Sequence, residues 1–211
     1  MKYLNLVVVL SLIAATSGLS LGALNKVTFE TIQNNILKFK KVPAVADIQE
    51  AVTGPTTAEE RVAIEEALLA NKRFVDRDGQ EPLLFFVVDK ADAPHALVIE
   101  GFGGGFGGDI GVMVGFELQT GNLAGIGITT LSETPGLGTH VRDAIFREQF
   151  SGMAADSVFK VKKDGGDIDA ITGATLSSRG VAAAITQAQV LYQDNKEHIG
   201  HALNSADEVA P

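Results

Sequence analysis

The chain contains no cysteine and no tryptophan. Without cysteine there is no disulfide, no zinc–thiolate site and no cysteine-ligated iron–sulfur cluster. An oxidising compartment is compatible with that composition and is not required by it. Histidine is scarce too, with four in 211 residues, so the usual haem and metal ligands are few. His95, His198 and His201 are scattered through loop-like or tail-like sequence. His140 adjoins a helix start, where a lone histidine is ordinarily a surface residue. No Ser–His–Asp set is marked by any of them. Basic residues are outnumbered, 17 Lys and Arg against 26 Asp and Glu, for a net charge of −9. No basic stripe is visible, which argues against nucleic acid as a partner.

What the chain does have begins with an apolar run. Residues 3–24 carry no charge and are rich in Leu, Val, Ile and Ala. As a helix that length crosses the roughly 30 Å hydrocarbon core of a bilayer. Lys2 and the amino terminus precede it, which places the N-terminus inside and the remainder outside. Two other readings stay open. One is a cleaved signal peptide, with residues 4–15 as its apolar centre and Ala15, Ser17 and Gly18 as small residues after it. The other is a buried helix of a soluble domain.

Residues 25–41 read as a helix continuing from that run, with Val27, Phe29, Ile32, Ile36, Leu37 and Phe39 apolar. Lys38, Lys40 and Lys41 lie near its end, where cations favour the dipole, and Pro43 is expected to stop it. Gly54-Pro55 marks a turn. Residues 57–72 predict an amphipathic helix opened by a Thr57/Glu60 capping box, with Val62, Ile64, Leu68 and Leu69 as core. Residues 73–82 read as a polar connection with an Asp78-Gly79 turn. From Leu83 the character changes to strands, over 83–89, 96–100, 109–119 and 123–131. In the third, Ile110, Val112, Val114 and Phe116 alternate, which predicts a half-buried strand. Gly121-Asn122 joins the last two as a hairpin, so the sheet is at least partly antiparallel. A helix follows over 139–150 with Val141, Ala144, Ile145 and Phe150 inward, then a short strand over 158–162 and an acidic turn over 163–169. Val181, Ala184, Ile185, Ala188 and Leu191 fall on one face of a last helix. Residues 194–211 read as a polar tail. The class is α+β, and the expected divisions are 1–24, 25–82, 83–193 and 194–211.

Three segments stand out as candidate sites. Residues 101–108 read Gly-Phe-Gly-Gly-Gly-Phe-Gly-Gly, with a formal G-x-G-x-x-G at Gly103, Gly105 and Gly108. A dinucleotide site requires a helix next, and a strand pattern follows instead. No Lys-Ser/Thr follows the glycines either, so this is no P-loop. A flexible hairpin connection satisfies the same residues. Residues 133–138, Glu-Thr-Pro-Gly-Leu-Gly, cannot be helical through Pro135 and read as a strand–helix loop with an N-cap at Thr139. Residues 169–178 read Asp-Ala-Ile-Thr-Gly-Ala-Thr-Leu-Ser-Ser, with hydroxyls at Thr172, Thr175, Ser177 and Ser178 around a Gly173-Ala174 turn. Ser177 or Ser178 is the expected N-cap of the last helix. A hydroxyl-rich turn at a helix N-terminus suits a phosphate. A well-capped helix with no ligand accounts for it equally.

The run Thr-Gly-Ala-Thr-Leu-Ser-Ser resembles the attachment motif of the FMN-binding domain family, and Glu133–Gly138 resembles a second segment of that family in the same order. The family includes the G subunit of the Rnf electron-transport complex and the C subunit of the sodium-pumping NADH:quinone reductase; this chain's length resembles the former more. The resemblance implies a single N-terminal transmembrane helix followed by an extracytoplasmic FMN-binding domain, with a partly antiparallel sheet flanked by helices. It implies FMN joined to Thr175 by a phosphoester, with Thr172, Gly173, Ala174, Leu176 and Ser177 around the attachment point. It places Glu133, Thr134, Gly136 and Leu137 as the other wall, and Phe106 and Gly107 of the glycine-rich run close to the flavin. The partners it implies are the other membrane subunits of an Rnf-type complex and, for maturation, a flavin transferase. The chain would then be an electron relay between ferredoxin and NAD in an ion-translocating complex, not a complete enzyme alone. The different-class alternatives are an anchored binding module without redox function and a free-standing flavoprotein.

Overall fold

A computed structural model describes residues 2–70, 73–74, 83–88 and 93–194. The chain divides into two compact units, Met1–Phe39 and Lys40–Pro211. In the first, α1 (Lys2–Ile36) carries the apolar run, and the helical path is long and apolar enough to cross a membrane. None of its apolar window is buried within the chain. Asp78-Gly79, Asp89 and the tail beyond Asp194 lie outside the described residues.

Pro43 does not stop the helical path. A π turn over Leu37–Lys41 precedes α2 (Val42–Thr53), and the proline occupies the first turn of that helix. The π turn lies just before the proline, whose ring removes one N–H from the helical path. Gly54, with φ of 99°, ends α2 as expected of the turn. The next helix, α3 (Ala58–Ala70), opens on the capping box read from the sequence. The Thr57 N–H donates to Glu60 Oε2 at 2.8 Å, and the Glu60 N–H donates to Thr57 Oγ1 at 3.3 Å. Of its four expected core residues only Leu68 is fully buried, and Val62 is exposed.

The sheet is a five-stranded meander, β1 (Arg73–Phe74), β2 (Leu83–Val88), β3 (Pro94–Gly104), β4 (Asp109–Glu117) and β5 (Leu123–Thr130), in sequential order. Every pairing is antiparallel, so the sheet is wholly rather than partly so among the described residues. The short β1 replaces the start of the expected polar connection. A second difference is the length of β3, which runs through Gly101–Gly104 instead of ending at Glu100. The glycine-rich run is therefore half strand and half loop, and the strand after it rules out the dinucleotide reading.

The strand β4 is buried on both faces, not one. Ile110, Val112, Val114 and Phe116 face a core that includes Val181, Ala184, Ile185 and Ala188 of α5 (Thr175–Asp194). Phe116 stacks on Tyr192 of α5 with ring centroids 4.4 Å apart. The other face is covered by α2, which lies directly on the backbone of β5: a Cβ on Gly127 would stand 1.9 Å from the Ala44 carbonyl oxygen. A helix that close buries the second face, a long-range event with no local trace in the alternation of β4.

The helix expected over 139–150 is broken. A 3-10 turn Gly138–Arg142 gives way at Asp143, which is extended (φ −65°, ψ 141°), before α4 (Ala144–Arg147) and a second 3-10 turn, Glu148–Phe150. The break resets the helical phase. Val141, Phe146 and Phe150 are buried, whereas Ala144 and Ile145 face outward. Residues 158–162 form no strand; Val161 makes one parallel bridge to Ile168, and Val158 is exposed.

Candidate functional site

The three segments singled out by the sequence converge on one pocket of about 360 Å³. Its lining is Phe106 from the β3–β4 loop, Glu133, Thr134, Leu137 and Gly138 from the connection after β5, and Gly173 to Ser177 at the start of α5. The meander delivers the first two segments to the same end of the sheet, because β3, β4 and β5 are successive neighbours. The helix α5 packs along β3 and β4 and so brings its N-terminus to that end.

The α5 entrance begins earlier than the sequence suggests. Thr175 is the first helical residue, so Ser177 and Ser178 lie inside the first turn and neither is the N-cap. Before it, Ile171–Ala174 forms a turn closed by the Ala174 N–H on the Ile171 carbonyl at 3.0 Å. Gly173 sits in the left-handed region at φ 81°, which glycine adopts without Cβ strain. Ser178 clamps this turn from within the helix. Its Oγ accepts from the Ile171 N–H at 3.0 Å and donates to the Ala174 carbonyl at 3.2 Å.

The four hydroxyls of this segment thus have different fates. Ser178 is buried and committed to the turn. Ser177 is buried and donates to Glu133 Oε2 at 2.8 Å. Thr172 is exposed and does not line the pocket. Thr175 lines the pocket, and among the described residues its hydroxyl has no partner within the chain. The first-turn N–H groups of Thr175, Leu176 and Ser177 precede the first intrahelical bond, Ser178 N–H to Ala174 carbonyl. That leaves donors and the positive end of the helix dipole for an anion.

Glu133 is buried at 8% exposure, and its carboxylate is engaged inside the protein. Oε1 accepts from the backbone N–H groups of Phe106 at 2.7 Å and Gly107 at 3.1 Å. Gly107 contributes through this bond and not by lining. Gly136 is also off the lining; its N–H is held by Thr139 Oγ1 at 3.0 Å within its own loop. Thr139 is accordingly a loop clip inside the 3-10 turn, not a helix N-cap. Gly138, the last residue of the Glu133–Gly138 segment, also lines the pocket. A Cβ there would lie 2.5 Å from both Glu133 Oε2 and Ser177 Oγ. That requirement arises where two distant segments cross, so no local pattern signals it.

Phe106, Leu137 and Leu176 form an exposed apolar rim, with Phe106 at 71% exposure. A helix start with open N–H groups, an uncommitted hydroxyl and an apolar rim around one pocket suit a molecule that joins a phosphate to an aromatic ring. The donor set therefore fits FMN. Beside the site, the Arg179 guanidinium donates to both oxygens of Asp164 at 2.6 Å and holds that carboxyl below the usual aspartate range.

Residues 105–190 match the model of the FMN-binding domain family. Among curated proteins, the chain is similar to the G subunit of the ion-translocating oxidoreductase complex of Shewanella amazonensis, 32% identical over 55% of this chain and 57% of that one. The corresponding protein of Shewanella baltica is 33% identical over 63% of this chain and 64% of its own length. The match thus spans under two thirds of these relatives. The G subunit of the Na(+)-translocating ferredoxin:NAD(+) oxidoreductase complex of Acetobacterium woodii is 28% identical over 88% of this chain and 89% of that one. Among solved structures, the C subunit of the Na(+)-translocating NADH-quinone reductase of Parabacteroides distasonis shares the fold. It has a TM-score of 0.54 and 19% identity, over 69% of this chain and 87% of that one.

Proposed function

We propose, from the match of residues 105–190 to the FMN-binding domain family, that the chain bears FMN on Thr175 as an electron-relay subunit of an Rnf-type membrane complex. The complex would couple electron transfer between ferredoxin and NAD to ion translocation. The observation that carries the attachment site is the fate of the four hydroxyls. Only Thr175 both lines the pocket and stands uncommitted at the start of α5. The names of the curated relatives, G subunits of ion-translocating oxidoreductase complexes, support the complex.

Bound FMN supplies one- and two-electron chemistry. The chain's own residues hold and shield it. The N–H groups of Thr175, Leu176 and Ser177 face the remaining negative charge of a phosphodiester. Phe106, Leu137 and Leu176 keep water from an aromatic ring, and Thr134 offers a hydroxyl at the pocket wall. Thr175 is an acceptor during maturation, not a nucleophile in turnover. Its oxygen gives up a proton and takes the flavin phosphoryl from FAD, with AMP leaving, on a separate flavin transferase. The α1 helix anchors the chain with its N-terminus inside and the FMN domain on the extracytoplasmic side. A tether there prevents loss of the cofactor. The partners are the other membrane subunits of the complex.

The test is the intact mass of the denatured full chain, co-expressed with a flavin transferase, followed by peptide mapping. An FMN-sized addition on the Thr175 peptide, absent from Thr175→Ala, is expected. An unmodified wild-type chain, or flavin persisting on the variant after denaturation, overturns the assignment. The unmodified result favours an anchored binding module without redox function.

A further inference from the structure

We propose that Glu133 is a positioning residue that assembles the pocket, acting through the protein instead of on the ligand; this rests on the pocket being the flavin site. Three chain segments meet on its one carboxylate. Oε1 holds the β3–β4 loop through the N–H groups of Phe106 and Gly107, and Oε2 holds the first turn of α5 through the Ser177 hydroxyl. Hydrogen bonds to an ionised acceptor are roughly twice as strong as neutral ones. Burial at 8% exposure limits the access of water to them.

The surroundings are shaped for this carboxylate. A Cβ on Gly105 would stand 2.2 Å from Oε1, and one on Gly138 would stand 2.5 Å from Oε2. Glycines on two separate segments therefore leave room for the same group. The clasp also selects what the pocket offers. It turns the Phe106 and Gly107 N–H groups onto Glu133 and takes the Ser177 hydroxyl out of service. Thr175 is left as the acceptor, and Phe106 lines the same pocket. A pocket wall held by contacts within the chain is preorganised, which lowers the cost of binding.

Glu133→Gln preserves the pattern, since its amide oxygen accepts from the two N–H groups and its NH₂ donates to Ser177 Oγ. Glu133→Ala removes it. The experiment uses the full detergent-purified chain made without a flavin transferase. Amide exchange at Phe106 and Gly107 is measured first, then the rate of FMN transfer to Thr175 from FAD by added transferase. Exchange at the two amides should rise about tenfold in Glu133→Ala, the scale set by loss of one hydrogen bond. Transfer should fall by about as much, and Glu133→Gln, with neutral bonds in the same pattern, should fall between the alanine variant and wild type in both. Wild-type exchange and transfer in Glu133→Ala, or a glutamine variant as impaired as the alanine one, overturns the proposal. If Glu133→Ala unfolds across β3–β5, Ser177→Ala against Glu133→Gln decides. Ser177→Ala should slow transfer more, and the reverse order overturns the clasp. A wild-type chain that takes no FMN on Thr175 defeats the flavin reading alone, and the exchange arm still judges Glu133.

Discussion

Gly103 and Gly180 meet backbone to backbone: a Cβ on Gly103 would lie 2.1 Å from the Gly180 carbonyl oxygen. At Gly101 and Gly103 the helix α5 therefore rides directly on the main chain of β3, while Leu97 and Ile99 of the same strand share its core. That close approach carries the α5 N-terminus to the end of the sheet where the β3–β4 loop stands. Gly104, one residue on, is exposed with open space where a Cβ would go.

The pair makes a matched prediction. Gly103→Ala forces a methyl into a carbonyl that cannot rotate away, and overpacking of this kind costs about 1–3 kcal/mol. Gly104→Ala should be neutral or slightly stabilising, because alanine loses less backbone entropy than glycine on folding. Thermal unfolding of the detergent-solubilised chain should show a fall of several degrees for the first and none for the second. Equal behaviour of the two would contradict the helix–strand contact.

The local features of this fold are legible in the sequence, and the non-local ones are not. Thr57 and Glu60 are three residues apart, and the box they form is the one observed. The Gly121-Asn122 hairpin and the buried face of α5 from Val181 to Ala188 likewise follow from short-range spacing. The second buried face of β4 depends on α2, which lies far upstream in the chain. Ile145 is expected inward because the pattern over 139–150 reads as one helix; the extended Asp143 undoes that phase. At the site, all three segments carry visible motifs. The role of Ser177 does not show, because its partner Glu133 is 44 positions away. A serine near a helix start reads as a cap until the acceptor of its hydroxyl is known.

A pH prediction attaches to Asp164. Its carboxyl accepts both Arg179 bonds, and its pKa is lowered chiefly by that hydrogen bonding. A depressed carboxylate pKa contributes stability above the unfolded value, about 3.9 for aspartate, and loses it as pH falls through the folded value. The contribution is small, since both groups sit at the surface. Carboxyl ¹³C titration should place the Asp164 midpoint below that of a free aspartate, and Arg179→Ala should move it back up. A wild-type midpoint at or above the free value would mean that the pair does not persist in solution.

Gly173 isolates conformational cost from steric cost. Its φ is 81°, yet a Cβ would meet only Leu137 Cδ2 at an ordinary 3.4 Å. Gly173→Ala should therefore destabilise the chain by about 1–2 kcal/mol, the cost of a left-handed residue with a Cβ. Gly173→Asn should cost less, because asparagine tolerates that region through local hydrogen bonds. Denaturant titration of the three proteins gives the order glycine, asparagine, alanine from most to least stable. Alanine matching glycine would place the turn in another conformation.

Ser178 tests whether the turn before α5 is held from inside the helix. It is fully buried, and its Oγ is the acceptor for the Ile171 N–H at 3.0 Å. Ser178→Ala leaves that N–H without a partner in a partly buried place, which costs about 1–3 kcal/mol. The helix itself loses nothing, since alanine is the better helix former. The damage should therefore be confined to the turn. Hydrogen exchange should accelerate at Ile171 and Ala174 while the amides from Val181 onward keep their protection. Loss of protection along the whole of α5 would show instead that Ser178 supports the helix start, and unchanged exchange at Ile171 would show that the clamp is not needed to close the turn that presents Thr175.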